Sequence, residues 1–103
     1  MLTPDGAIVR GANVENASYG LTVCAERNAI FAAVNQGAKR FKAIAVSVLG
    51  DVSGQKIGAY KLSPCGACRQ VMAEFMDDDA IVLVDGVGET TLGKLLPDAF
   101  RLR

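Results

Sequence analysis

The chemistry this chain can offer is concentrated in its cysteines and one glutamate. Cys65 and Cys68 are separated by Gly66-Ala67, and Ser63-Pro64 ahead of them reads as an N-cap followed by a proline at the first helical position. Three residues apart on a helix, the two thiols project from one face of its first turn and can grip one ion. Cys24, at the start of another expected helix, offers a third thiolate. Three protein ligands with one open tetrahedral position make the catalytic zinc pattern, whereas a structural site is closed by four. The chain has no histidine and no fourth cysteine, which argues against a closed Cys/His site. Glu26 follows the apolar run Val23-Cys24-Ala25, where an unpaired carboxylate is costly to bury. Beside a metal-activated water it can take a proton and pass it to a leaving amine. At a helix start it can equally be an exposed residue favoured by the dipole.

Three thiolates on a divalent ion leave a net negative charge that weakens the metal as a Lewis acid. Arg27 and Arg69 closely follow two of the cysteines and are candidates to offset it, together with the positive helix ends. Their plainer alternative is surface ion pairing. A Cys-x-x-Cys pair without metal also suits a thiol redox protein, a reading that Cys24 and the second motif disfavour.

The elements that must position these groups follow from periodicity and turn residues. Thr3-Pro4-Asp5-Gly6 signals a turn, and Ala7 to Gly11 reads as the second strand of a hairpin. From Thr22 to Gln36 apolar residues recur at helical spacing, with Thr22 as N-cap and Gly37 as the C′ residue. Lys42 to Leu49 reads as a strand and Gly50 to Ala59 as a loop or hairpin. The helix opened by Ser63-Pro64 turns Val71, Met72 and Phe75 inward and ends at Asp77-Asp78-Asp79, read as a solvated helix end rather than a cation site. Ala80 to Val84 is then a buried strand, and Thr91 to Leu96 a short helix stopped by Pro97. The alternation implies an α/β fold with parallel or mixed strands and helices on the faces. Sites in such folds lie where strand ends meet helix N-termini, and both cysteine segments fall there.

At 103 residues the chain fits one domain, 1–103, with its own core. Eleven basic residues balance eleven acidic ones, so the basic footprint of a nucleic-acid or anionic-membrane binder is missing, and a small neutral ligand fits better. The longest apolar stretches, Ala43 to Leu49 and Ala80 to Val84, are too short to span a bilayer, and no signal-peptide pattern opens the chain. A soluble, cytoplasmic protein is expected.

Cys24-Ala25-Glu26 followed by Pro64-Cys65-Gly66-Ala67-Cys68 resembles the signature of zinc nucleobase deaminases in its three-cysteine form. The resemblance extends to the cytidine deaminases that act on free nucleosides, through Asn13-Val14-Glu15-Asn16-Ala17-Ser18-Tyr19-Gly20, Cys24-Ala25-Glu26-Arg27, Ser63 to Gln70, and Leu95-Leu96-Pro97-Asp98-Ala99-Phe100. These blocks cover most of the chain in family order. The resemblance implies a three-layer α/β/α sandwich with a mixed sheet, and zinc on Cys24, Cys65 and Cys68. It makes Glu26 the proton shuttle, Asn13 and Glu15 the ribose-binding pair, Ala25 a substrate contact, and Phe100 an aromatic inserted into a neighbour's site in a homotetramer. The implied reaction is hydrolytic deamination at C4 of cytosine, giving uridine or deoxyuridine.

Two departures accompany the resemblance. The family begins with a helix and a strand that carries an aromatic of the pyrimidine pocket, whereas here only the turn Thr3 to Gly6 precedes Ala7 to Gly11, whose edge is then open unless another subunit covers it. The stretch between Cys24 and Cys65 is longer than the compact family pattern, with the extra residues expected in Gly50 to Tyr60 and Tyr60 packed beneath that loop. Alternative substrates are a modified cytosine nucleoside, an aminonucleoside antibiotic or a free base. A non-catalytic zinc-binding relative is disfavoured because such a site has no use for Glu26, and a polynucleotide deaminase by the neutral charge and few aromatics.

Overall fold

The computed structural model describes residues 1–48, 56–57 and 60–102. Most of the expected loop Gly50 to Ala59, and the side chain of Tyr60, lie outside the described residues. Helix α1 (Ala25–Asn35) buries Ala29, Ile30 and Ala33. Its end follows from Gly37, whose φ of 95° suits the left-handed C′ position that glycine occupies without strain. The Gly37 N–H bonds the Val34 carbonyl and the Ala38 N–H bonds the Ala33 carbonyl, both at 3.0 Å, closing the helix as the sequence predicts.

Both helix starts differ from the sequence expectation. The N-cap of α1 is Cys24 rather than Thr22. Thr22 Oγ1 instead accepts the Asn16 N–H at 3.0 Å and so holds the exposed segment ahead of the helix. Helix α2 (Gly66–Phe75) is capped by Cys65 rather than Ser63. In each case a hydroxyl with a strong capping tendency is bound elsewhere, and the helix begins two residues later on a thiol.

Strand β1 (Phe41–Val46) lies parallel to β4 (Met76–Val84), with α2 in the crossover between them. Strand β5 (Gly88–Thr91) pairs antiparallel on the far side of β4, giving a mixed sheet of order β1-β4-β5. The sequence reading missed β5, because Gly-Glu-Thr-Thr lacks apolar alternation. The short strands β2 (Lys56–Ile57) and β3 (Tyr60–Lys61) form a separate antiparallel pair. Asp77, Asp78 and Asp79 do not end a helix: they lie in β4, which follows α2 without a loop. Asp77 pairs with Arg40 and Asp78 with Arg101, so the triplet is an exposed strand segment tied down by cations. Thr91 closes β5 and caps α3 (Leu92–Leu95), which ends ahead of Pro97.

One cluster of buried side chains runs from Ile30 and Ala33 of α1 through Cys68 and Met72 of α2 to Ile44, Val82 and Leu92. Helices α1, α2 and α3 each contribute to this cluster. The paired residues Ala45 and Leu83, with Ile81 beside Ala43, point to the opposite face, where Ile81 and Leu83 are 38% and 43% exposed. The described residues thus form the expected α/β fold around a mixed three-stranded sheet. No helix of the described residues is long and apolar enough to cross a membrane.

The hairpin at the start of the chain is shorter than expected. Leu2 bridges Ile8 on one side and Ala43 on the other, so a strand residue does stand beside Ala7 to Gly11, which itself pairs only at isolated positions. Leu2 accepts the Lys42 N–H at 3.0 Å and donates its own N–H to Ala43 at 2.8 Å. Two residues of β1 thus face one across the pair, a β-bulge that sharpens the local twist.

Gly11 sets how closely this segment approaches α1. A Cβ there falls 2.3 Å from the Ala29 nitrogen and 2.5 Å from the Ala25 carbonyl oxygen, which only glycine avoids. Gly11→Ala is expected to destabilise the protein by about 1–3 kcal/mol, the usual cost of overpacking, read as a lower urea midpoint. An unchanged midpoint would show that the two segments separate without cost.

Candidate active site and metal centre

The three sulfurs meet because two helices start at neighbouring points of the fold. Cys24 caps α1, Cys65 caps α2, and Cys68 enters one turn later on the face of α2 that joins the core. Their Sγ atoms all lie within 4.8 Å of one another, and those of Cys65 and Cys68 are 3.4 Å apart. Thiolates at about 2.3 Å from a tetrahedral zinc lie about 3.8 Å from each other, so the cluster fits that ion with little movement. Cys68 is buried, Cys24 half-buried and Cys65 exposed; the centre therefore grows out of the core and opens to solvent on the Cys65 side.

The surroundings treat the thiols differently. Burial pushes the Cys68 thiol up, reinforced by contact with Cys65 and by the negative charge of Glu26. Burial also acts upward on Cys65, but the nearby Cys68 amide and the Cys68 and Cys24 thiols outweigh it and leave its pKa lowered. Metal binding must therefore displace the proton that burial favours on Cys68. Arg27 Nη2 donates to Cys24 Sγ at 3.6 Å and to the Thr22 carbonyl at 3.4 Å. The sulfurs of Cys24, then Cys68, hold its guanidinium more firmly protonated than usual. Arg27 is therefore placed to offset thiolate charge.

Arg69 is held differently. Its guanidinium donates to the Pro64 carbonyl, the Ser63 hydroxyl and the Leu95 carbonyl, each at 2.8 Å. The carbonyls at the mouth of α2 and the end of α3, with the Ser63 hydroxyl, take its donors, so Arg69 meets the centre through the backbone around Cys65.

Glu26, half-buried in the first turn of α1, lines a 260 Å³ cavity with Ala25 and Gly11 on one side and Val46 and Ser47 on the other. Asn13 and Glu15 lie outside its lining, exposed and joined by a bond from Asn13 Nδ2 to Glu15 Oε1 of 3.3 Å. Phe100 is 69% exposed, its carbonyl accepting from Gln70 Nε2 at 2.9 Å. The fold thus brings Cys24, Cys65, Cys68, Glu26, Ala25 and Arg27 together and leaves Asn13, Glu15 and Phe100 at the surface. Sequence reasoning missed Asn28, whose Nδ2 donates to the Ala12 carbonyl at 2.7 Å; its position four residues after Cys24 was the available signal.

Residues 1–84 match the family model described as the cytidine and deoxycytidylate deaminase zinc-binding region. The chain belongs to this family. A cytidine deaminase of Sporosarcina psychrophila is 47% identical over 104 aligned residues, 97% of this chain and 71% of that protein. The crystal structure of cytidine deaminase from Burkholderia pseudomallei superimposes with a TM-score of 0.77 at 45% identity, covering 96% of this chain and 76% of that one. A blasticidin-S deaminase of Bacillus cereus is 34% identical over 99 residues, 92% of this chain and 69% of that protein. As a member of the deaminase family the chain is a zinc-binding hydrolase, and the cysteine cluster is the part of it built to hold the metal.

Proposed function

We propose that this chain, working as one domain over residues 1–103, deaminates cytidine and deoxycytidine hydrolytically in pyrimidine salvage in the cytoplasm. The observation that carries the reading is the triad of thiols beside Glu26 at two helix starts, within a chain 47% identical to a cytidine deaminase over 104 aligned residues. Cys24, Cys65 and Cys68 hold zinc, which when bound supplies the Lewis acidity that activates water for attack at C4. Glu26 accepts the proton of the attacking water, delivers it to N3 of the base, and carries a second proton to the amine, which leaves as ammonia. Water and cytidine are thereby converted to uridine and ammonia.

Ala25, at the cavity wall next to Glu26, offers its backbone to the base. Asn13 and Glu15 bind the ribose hydroxyl, a role their paired amide and carboxylate can fill. Phe100, exposed on the C-terminal segment, reaches the site of a neighbouring subunit in a homotetramer and stacks on the pyrimidine. Arg27 offsets the thiolate charge: Arg27→Gln is expected to retain zinc and to lose about 10–100-fold in kcat/KM, measured by steady-state assay alongside metal analysis. Wild-type turnover in that variant would remove the charge argument.

The similarity to a blasticidin-S deaminase favours a second reading, in which a cytosine-bearing aminonucleoside is the substrate. Ammonia release from cytidine, deoxycytidine, cytosine and blasticidin S, compared at equal enzyme concentration, separates the two. Conversion of both nucleosides supports the first reading, and inactivity on them with turnover of the antibiotic replaces it with the second.

A further inference from the structure

Neither cysteine N-cap makes the side-chain hydrogen bond that ordinarily fixes a helix start. The residues that do so, Ser, Thr, Asp and Asn, are excluded where the side chain must be a thiolate ligand. Each helix is nevertheless entered in nearly the same extended conformation, with φ −69° and ψ 156° at Cys24 and φ −70° and ψ 168° at Cys65. Something else must hold these backbones, because a thiol on a wandering N-cap cannot meet two others at one point.

In both helices the residue four positions on does this. The Asn28 N–H bonds the Cys24 carbonyl at 3.1 Å, and Asn28 Nδ2 donates to the carbonyl before it, Val23, at 3.4 Å. The Arg69 N–H bonds the Cys65 carbonyl at 2.9 Å, and Arg69 Nε donates to the carbonyl before it, Pro64, at 2.8 Å. Each cysteine is thus bracketed by the backbone and the side chain of one residue. Further bonds run away from each helix: Asn28 to the Ala12 carbonyl at 2.7 Å, Arg69 to Ser63 Oγ and the Leu95 carbonyl at 2.8 Å. They tie the two starts to separate parts of the fold, the segment beside the Glu26 cavity and the end of α3.

We propose that Asn28 and Arg69 are positioning residues of the metal centre, which hold Cys24 and Cys65 aligned before the metal arrives. Partners that orient metal ligands typically change affinity by about 10–100-fold when removed, and these two act on the ligand backbone rather than on its sulfur. The proposal rests on the zinc reading of the cysteine cluster.

Its test compares the full chain with Asn28→Ala, Arg69→Lys and Gln70→Ala. Zinc affinity is measured by competition with a chromophoric chelator, and cobalt(II) in place of zinc reports thiolate geometry through its visible and charge-transfer absorption. Circular dichroism of each metal-free chain separates loss of alignment from loss of folding. Arg69→Lys keeps the charge but cannot reproduce the guanidinium fork, so it removes alignment alone. Asn28→Ala and Arg69→Lys are expected to bind zinc about 10–100-fold more weakly with altered cobalt bands, and Gln70→Ala, on the same turn but bonded to Phe100, to match the unaltered chain. Unchanged affinity and cobalt spectra in a folded Arg69→Lys overturn the proposal even if Asn28→Ala fails to fold. If all four chains, the unaltered one included, fail to bind zinc, the metal reading itself falls.

Discussion

Glu26→Ala is expected to keep its zinc and lose at least about 10³-fold in turnover of cytidine, within the range contributed by a positioned general acid–base group. Glu26 lies in the first turn of α1, immediately after Ala25 and two residues from Cys24, where it lines a cavity and stays outside the buried core cluster of the described residues. Removing its carboxylate therefore leaves the three sulfurs and both helix starts in place. The same residue handles the proton at the beginning and at the end of the proposed reaction, so its loss penalises attack and departure together. Ultraviolet absorbance of cytidine conversion, zinc content by elemental analysis and the circular dichroism spectrum are the three measurements required. Near-normal turnover in a zinc-loaded, folded variant would take Glu26 out of the mechanism.

Stripping the metal should have the largest effect on stability. Cys68 belongs to the fully buried core with Met72, Met76 and Val82, and the ion it shares with Cys24 and Cys65 cross-links the starts of α1 and α2. A ligand present at about a thousand times its Kd stabilises the state that binds it by roughly 4 kcal/mol. For a domain of this size each kcal/mol moves the melting temperature by roughly 4–8 °C. Chelation under reducing conditions is therefore expected to lower Tm by roughly 15–30 °C and abolish turnover, with both restored by stoichiometric zinc. Equal melting curves before and after chelation would mean that the cluster contributes nothing to holding the helices.

The site was more legible in the sequence than the fold around it, for a physical reason. Cysteine and glutamate are chemically specific, and a spacing of three residues on one helix allows few other uses for Cys65 and Cys68. Helix starts were misplaced because Thr22 and Ser63 have the intrinsic capping tendency that Cys24 and Cys65 lack; only the fold reveals that Asn16 and Arg69 already occupy those hydroxyls. The acidic run at Asp77 was read as a helix end because propensity cannot see Arg40 and Arg101 across the chain. Arg69 was identified as important to the centre for its charge, whereas its geometry places it among the backbone carbonyls. Asn28 was marked only by its position four residues after Cys24, since its partner Ala12 lies in a different segment.

The bridge made by Leu2 has a consequence for how the molecule assembles and loosens. Its bonds to Lys42 and Ala43 join the beginning of the chain to its middle, and closing that loop costs entropy which only a short run of pairing repays. The β1–β4 ladder is longer and leads into the core. Amide exchange is therefore expected to be slower in the β1–β4 ladder than at the isolated pairing of Leu2, where bonds are fewer. Met1 lines the same cavity as Glu26, so the pairing at Leu2 also steadies one part of the wall that the proton carrier shares.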